Sequence, residues 1–329
     1  AIRIEKTGGP EVLQYVEVPT PSPGPGQALV KADTIGVNMP EVLVRRGNYR
    51  WMPPLPAIPG IEMSGTVAAL GPDTHGVKTG ERVYVSAREL PHRGGCYAEY
   101  IAVDTGALAK VPDDVDLEAA ATLASYQVAW HLLNSATRGF EYGSVLVTAA
   151  AGGIGSAAVQ LAAATEIRVI ALASSNEKAD FAKRLGASVS VAQADGGWAA
   201  KIKEVTENRG VDLILDAVAG ARLPELFELL APLGLMIQYG QTAGLPNSAA
   251  VYDAMRRQTG RSPALRIFSM HTFDDDPARR RTCTRTLLDL FARGTIEPVI
   301  HDRLPLAEAA RAHELLEGGK VLGNLVLKP

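Results

Sequence analysis

VLVTAAAGGIGSAAVQLAA, residues 145–163, begins with β-branched and aliphatic residues, narrows to a corner of alanines and glycines, and resumes as an apolar run with helical spacing. Strand, tight turn and helix in direct succession start a βαβ unit. The stretches that follow keep the alternation: RVIALA (168–173), NEKADFAKRLG (176–186), SVSVA (188–192), WAAKIKEVTE (198–207), VDLILDAV (211–218), LPELFELLA (223–231) and GLMIQYG (234–240). Strands separated by helices of roughly 10 to 15 residues build a parallel sheet with helices on both faces. The expected fold class over residues 119–257 is therefore α/β, a doubly wound parallel sheet.

The flanks read differently. Between residues 1 and 118 short β-rich runs such as ALVKADTIGV (28–37), EMSGTVAALG (62–71) and ERVYVS (81–86) are broken by proline and glycine, the texture of a mostly antiparallel, barrel-like domain. PTPSPGPGQ (19–27) lacks the donors a ladder needs and reads as a surface loop. Residues 258–329, with IFSMHTF (267–273), a helix over 277–294 and a closing strand in VLGNLVLKP, resemble the first part in rhythm and read as the chain returning to it. A length of 329 residues also points to two domains.

Hydrophobic residues make up 47% and charged residues 21% without tracts, so a packed core is available. A formal charge of -3 offers no general attraction for nucleic acid or anionic membranes, and neither is an expected partner. Two cysteines, Cys96 and Cys283, are too few for a disulfide framework, which points to a reducing compartment, the cytosol. The opening AIRIEKTGGPEVLQ reads as strand and turn rather than as a targeting segment.

The corner itself carries chemistry. In the dinucleotide fingerprint Gly-x-Gly-x-x-Gly, the first glycine makes the turn, the second lets a pyrophosphate approach the backbone, and the third lets helix pack on strand. Ala150, Ala151, Gly152, Gly153, Ile154 and Gly155 occupy those six positions, with alanine for the first glycine and Gly153 added. Small residues leave room for phosphates, and the helix start supplies N–H donors and a positive dipole end. An Asp or Glu about 20 residues on would bind the ribose 2′-hydroxyl of NAD. Here the second strand ends in Ala173, Ser174 and Ser175. Ser174 suits a 2′-phosphate and Lys178, one turn on, neutralises it, so NADP(H) is the expected cofactor.

GGPEVLQ (8–14), IGVN (35–38), PGIEMSGTVAALG (59–71), GERV (80–83), AAAGGIG (149–155), DAVAG (216–220) and AHELLEGGK (312–320) together resemble the medium-chain dehydrogenase/reductase superfamily, in its zinc-free, zeta-crystallin-like quinone oxidoreductase branch. The resemblance runs through nearly the whole chain. It implies a GroES-like catalytic domain from residues 1–118 and 258–329 and a Rossmann domain over 119–257. It also implies NADPH-dependent hydride transfer to quinones or other activated unsaturated carbonyls. Asn38 stands where zinc-dependent members have cysteine, and Gly60-Ile61-Glu62 where they have Gly-His-Glu, so no metal site is expected.

By the same resemblance Asn38, Tyr49 and Tyr126 are candidate catalytic or substrate-facing residues. Gln193, Tyr239, Gly240, Gln241 and Asn324 join the turn residues, Ser174 and Lys178 as cofactor candidates. The chain departs from the family's pattern at Leu43, at Tyr126-Gln127-Val128 and at Gln193, where relatives carry tyrosine, Gly-Leu-Thr and tyrosine. Homodimers are implied, with 251–270 as a candidate edge. An NADPH-dependent enone or enoyl reductase and a non-catalytic NADPH-binding, crystallin-like protein are the alternatives. DDDPARRR (274–281) reads as a solvated helix start, with acids at the positive end.

Overall fold

The computed structural model describes all 329 residues, which form two compact units: Ala1–Gln127 with Asp274–Pro329, and Val128–Phe273. The first unit begins with β1 (Ile2–Arg3), β2 (Gln14–Tyr15), β3 (Gln27–Val37), α1 (Met39–Arg46), β4 (Glu62–Leu70), β5 (Arg82–Ser86), β6 (Tyr100–Asp104), β7 (Leu108–Lys110) and α2 (Leu117–Ala120). Next comes α3 (Leu123–Asn134). The apolar stretch over 117–134 thus forms two helices, parted where Thr122 turns its hydroxyl onto the Ala119 carbonyl.

The second unit holds β8 (Ser144–Thr148), α4 (Gly153–Ala163), β9 (Arg168–Ala173), α5 (Asn176–Arg184), β10 (Val189–Ala192), α6 (Trp198–Val205), β11 (Val211–Asp216), α7 (Leu223–Leu226), β12 (Leu230–Gln238), α8 (Ser248–Arg257) and β13 (Ala264–Ile267). Its strands pair in the order β10-β9-β8-β11-β12-β13, every pair parallel. That is the doubly wound order with a switch point between β8 and β11, where such sheets take ligands at their carboxyl ends. Leu146, Ile170, Ile214, Phe227 and Met236 fill its core. Residues 258–273, read with the return segment, instead carry β13 and two short 3-10 turns in this unit, so the compact unit runs past 257.

The chain completes the first unit with α9 (Pro277–Ala292), β14 (Ile300–Pro305), α10 (Ala309–Glu317) and β15 (Asn324–Lys328). The main sheet follows β14-β15-β3-β4-β5-β7, with β6 also on β3; all its pairs are antiparallel except β14 with β15. Ile2, Ile35, Met63, Val83, Leu325 and Leu327 belong to a second, separate core. No helix of the chain is long and apolar enough to cross a membrane.

Candidate functional site

Small residues give the corner after β8 its shape. Ala149 adopts φ 48°, a left-handed conformation glycine takes more easily, so the turn bends one residue before the alanine that replaces the first fingerprint glycine. Gly152 is the N-cap of α4, and no side chain caps that helix. A Cβ on Gly152 would meet only the Ala149 carbonyl oxygen, at 3.5 Å. The surrounding fold therefore does not demand glycine there. Gly155 differs, since a Cβ there would fall on the Ala149 carbonyl and the Ala150 backbone. The third glycine serves packing, whereas the second could carry a Cβ with only an ordinary contact.

The other cofactor candidates of the second unit lie along the same edge. Ser174 is exposed just beyond β9; Ser175 caps α5, accepting from the Lys178 N–H at 3.4 Å; Lys178 is half-buried on the first turn of that helix. Gln193 follows β10 and is half-buried. Tyr239, Gly240 and Gln241 follow β12, and a Cβ on Gly240 would press on the Ala217 carbonyl. At the switch point Asp216 accepts from Thr148 Oγ1 and the Ala219 N–H, both at 2.8 Å, tying the ends of β8 and β11. Burial raises the Asp216 carboxyl against those hydrogen bonds. Ala219 is held at φ 54°, a second alanine in a glycine-favoring conformation on this edge.

In the first unit Asn38 caps α1, its N–H donating to Glu41 Oε2 at 3.1 Å. Its Nδ2 donates to Glu62 Oε1 at 2.8 Å and its Oδ1 accepts from Ser125 Oγ at 3.4 Å. Glu62 also accepts from Tyr84 Oη at 3.1 Å and the Ala124 N–H at 2.7 Å. Burial pushes the Glu62 carboxyl up to about 7, while those three donors pull the other way. Burial pushes Glu41 up to about 8, against bonds from the Ile61, its own and the Asn38 N–H groups. Glu62 and Ser125 thus fix the orientation of the Asn38 amide, while Glu41 holds its backbone N–H. Asn324 stands beside Leu325, which pairs with Val37, so the two asparagines sit at neighbouring strand ends. Its own side chain donates to the Val299 carbonyl at 3.4 Å.

Tyr49 is half-buried, with its ring tilted against Trp51 at 5.7 Å between centroids. Burial raises its phenol, and the Arg88 and Arg93 guanidiniums oppose that rise. Tyr126 departs from expectation. It is fully buried, with its ring edge-on to Phe291 at 5.0 Å, so this conformation gives it a packing role rather than a surface toward substrate. Ser125, beside it, is the residue that reaches Asn38. The acids of 274–276 are not simply a solvated helix start: Asp276 caps α9, but Asp274 pairs with Arg88 and Arg93.

Glu62, Glu41, Ser125 and Tyr84 were not singled out as site residues by sequence. The only signal was the Gly-Ile-Glu triplet in which Glu62 stands. No group of three His, Cys, Asp or Glu side chains is arranged to hold a metal ion. An open concavity of about 480 Å³, lined by Arg3, Pro53, Pro56, Ile58, His92 and Gly95 among others, includes none of these groups.

Comparison with known proteins sets this geometry in context. Residues 24–113 match the alcohol dehydrogenase GroES-like domain and residues 153–270 the zinc-binding dehydrogenase family. A quinone oxidoreductase of Pseudomonas aeruginosa is 32% identical over 331 residues, covering 100% of this chain and 99% of the relative. A 2-haloacrylate reductase of a Burkholderia species is 29% identical, covering 99% and 98%. The crystal structure of Escherichia coli quinone oxidoreductase complexed with NADPH superposes with a TM-score of 0.88 at 28% identity, covering 100% and 99%.

Proposed function

We propose, from the premise that this chain belongs to the quinone oxidoreductase family of medium-chain dehydrogenases/reductases, that it is an NADPH-dependent reductase of quinones and other activated unsaturated carbonyls. The observation that carries the reading is the turn after β8, where a glycine that the fold does not require opens space over an uncapped helix start. Gly152, Gly153, Ile154 and Gly155 would hold the pyrophosphate by backbone N–H groups, and Ser174 with Lys178 the 2′-phosphate. Gln193 would border the adenosine end, and Tyr239, Gly240 and Gln241 the nicotinamide end. Bound there, NADPH supplies a hydride.

The chain's own residues then prepare the acceptor. Asn38, held by Glu62 and Ser125, presents a fixed amide. Tyr49, whose burial keeps the phenol protonated through the neutral range, donates to the oxygen on which charge develops. Asn324 buttresses the strand end that carries Asn38. We read the chemistry as metal-free because the donor set suits internal bonding: an amide stands at position 38, and the Glu62 carboxylate is already engaged by three donors. Added zinc or a chelator leaves turnover unchanged on this reading. A homodimer joined through β13 and a cytosolic location, suited to the unpaired Cys96 and Cys283, complete it.

The 2-haloacrylate reductase among the relatives favors a second reading, an enone or acrylate reductase using the same cofactor edge. Loss of NADPH absorbance on adding a naphthoquinone, set beside the same measurement with a simple enone, separates the two. Calorimetry that detects no NADPH uptake, or tighter NADH uptake, overturns the cofactor assignment. Uptake without consumption of any acceptor would leave a binding protein.

A further inference from the structure

Two arginines after β5 share one acid. Arg88 Nη1 lies 3.3 Å and Arg93 Nη2 2.7 Å from the same Asp274 Oδ1. The other acid of this loop, Glu89, is engaged by Arg280 at 2.7 Å and Arg281 at 3.6 Å. Arg280 also donates to the Asp274 main-chain carbonyl at 2.6 Å. Four guanidiniums thus meet two carboxylates. The neighbouring Asp276 is taken by its own helix start and by Arg279 at 2.9 Å, while Asp275 is exposed.

The imbalance is sharpest at Arg88 and Arg93, whose side chains are only 19% and 18% exposed, and the Nη1 of Arg93 is buried without a hydrogen-bond partner. A guanidinium withdrawn from water without a matched carboxylate is unfavorable, and a planar two-nitrogen donor suits a second carboxylate. Ser86 pairs with Glu62, which holds Asn38, and the next residue, Ala87, donates to the Ile61 carbonyl at 2.8 Å, so Arg88 follows directly on the segment that carries the acceptor residues. Both arginine charges also oppose the rise of the Tyr49 phenol.

We propose that Arg88 and Arg93 form a carboxylate subsite beside Tyr49, and that the preferred acceptor is an activated alkene bearing a carboxylate. The inference rests on the reductase reading above and names its substrate class. In the reaction one alkene carbon gains a hydride from the reduced nicotinamide and the other a proton from water. The C=C π bond is lost, the saturated acid forms, and NADPH leaves as NADP⁺.

The test compares trans-acetylacrylate with its uncharged methyl ester under NADPH. The acid has the higher kcat/KM, by about ten-fold and mainly through KM, as charge-assisted hydrogen bonds warrant. Arg93→Gln and Arg88→Gln bring the ratio of acid to ester toward one. Asp274→Asn, which leaves both arginines short of a partner, raises the ratio and guards against variants that fold poorly. A ratio near or below one in the wild-type chain, or unchanged in all three variants, overturns the carboxylate subsite while ester turnover leaves the reductase reading standing. No turnover of acid, ester or a naphthoquinone overturns both.

Discussion

One methyl group separates the two glycine roles in the turn after β8. Gly152→Ala has room within the fold and an ordinary φ of -80°, so its thermal midpoint stays near that of the parent. Its added Cβ would enter the space assigned to phosphate, and NADPH affinity falls roughly ten-fold, 1.4 kcal/mol, in a calorimetric titration. Gly155→Ala behaves oppositely, driving its Cβ onto the Ala149 carbonyl and destabilizing the fold by about 1–3 kcal/mol in a denaturant melt. Ser174→Asp tests cofactor choice, since an acid there repels a 2′-phosphate and accepts from a ribose hydroxyl. NADPH binding weakens roughly a hundred-fold while NADH binding strengthens, and unchanged preference would show that Ser174 does not read the phosphate. These positions were legible in sequence because absence of a side chain within a strand-turn-helix context is a local signal. Glu62 was not, because its partners Asn38, Tyr84 and Ala124 come from three other parts of the chain.

At the scale of elements, periodicity revealed the strands and helices with strong apolar faces and missed those without. Strand β13 has three exposed residues in four, so it gave no apolar run and residues 258–273 were read with the return segment. The carboxyls joining α1 to β4 set a pH dependence that local pattern could not show either. Glu62 titrates near 7 and Glu41 near 8 in the fold, both above the ordinary carboxylate value, so the folded state holds these protons more tightly than the unfolded chain does. Their stabilizing contribution is complete below the unfolded pKa, about 4.3, and is lost as pH rises through the folded values. The thermal midpoint should decline between about pH 5 and 8 on their account. Glu62→Gln removes the part of that decline ending near 7, on the order of 3 kcal/mol, and leaves the part that Glu41 carries. The readout is the slope against pH, compared between parent and variant; equal slopes would show that Glu62 stays ionized throughout.

For the whole molecule, the two cores explain why the chain could be parsed from its pattern alone. Each unit buries its own apolar set, and the two patterns, alternating over the two segments of the first unit and βαβ over the single segment of the second, differ enough to be told apart. Assembly is written less plainly. The parallel sheet ends at β13, which pairs only with β12, and at this edge Ile267 is 78% exposed. An open strand edge with a large apolar side chain invites another strand. A homodimer formed by two such edges would bury Ile267 and continue the ladder from one copy into the next. Ile267→Lys places a desolvated charge in that junction without touching either core. Sedimentation should then show the parent as a dimer and the variant as a monomer with an unshifted NADPH affinity. A parent that sediments as a monomer, or a variant that remains dimeric, would mean that β13 is not the joining edge.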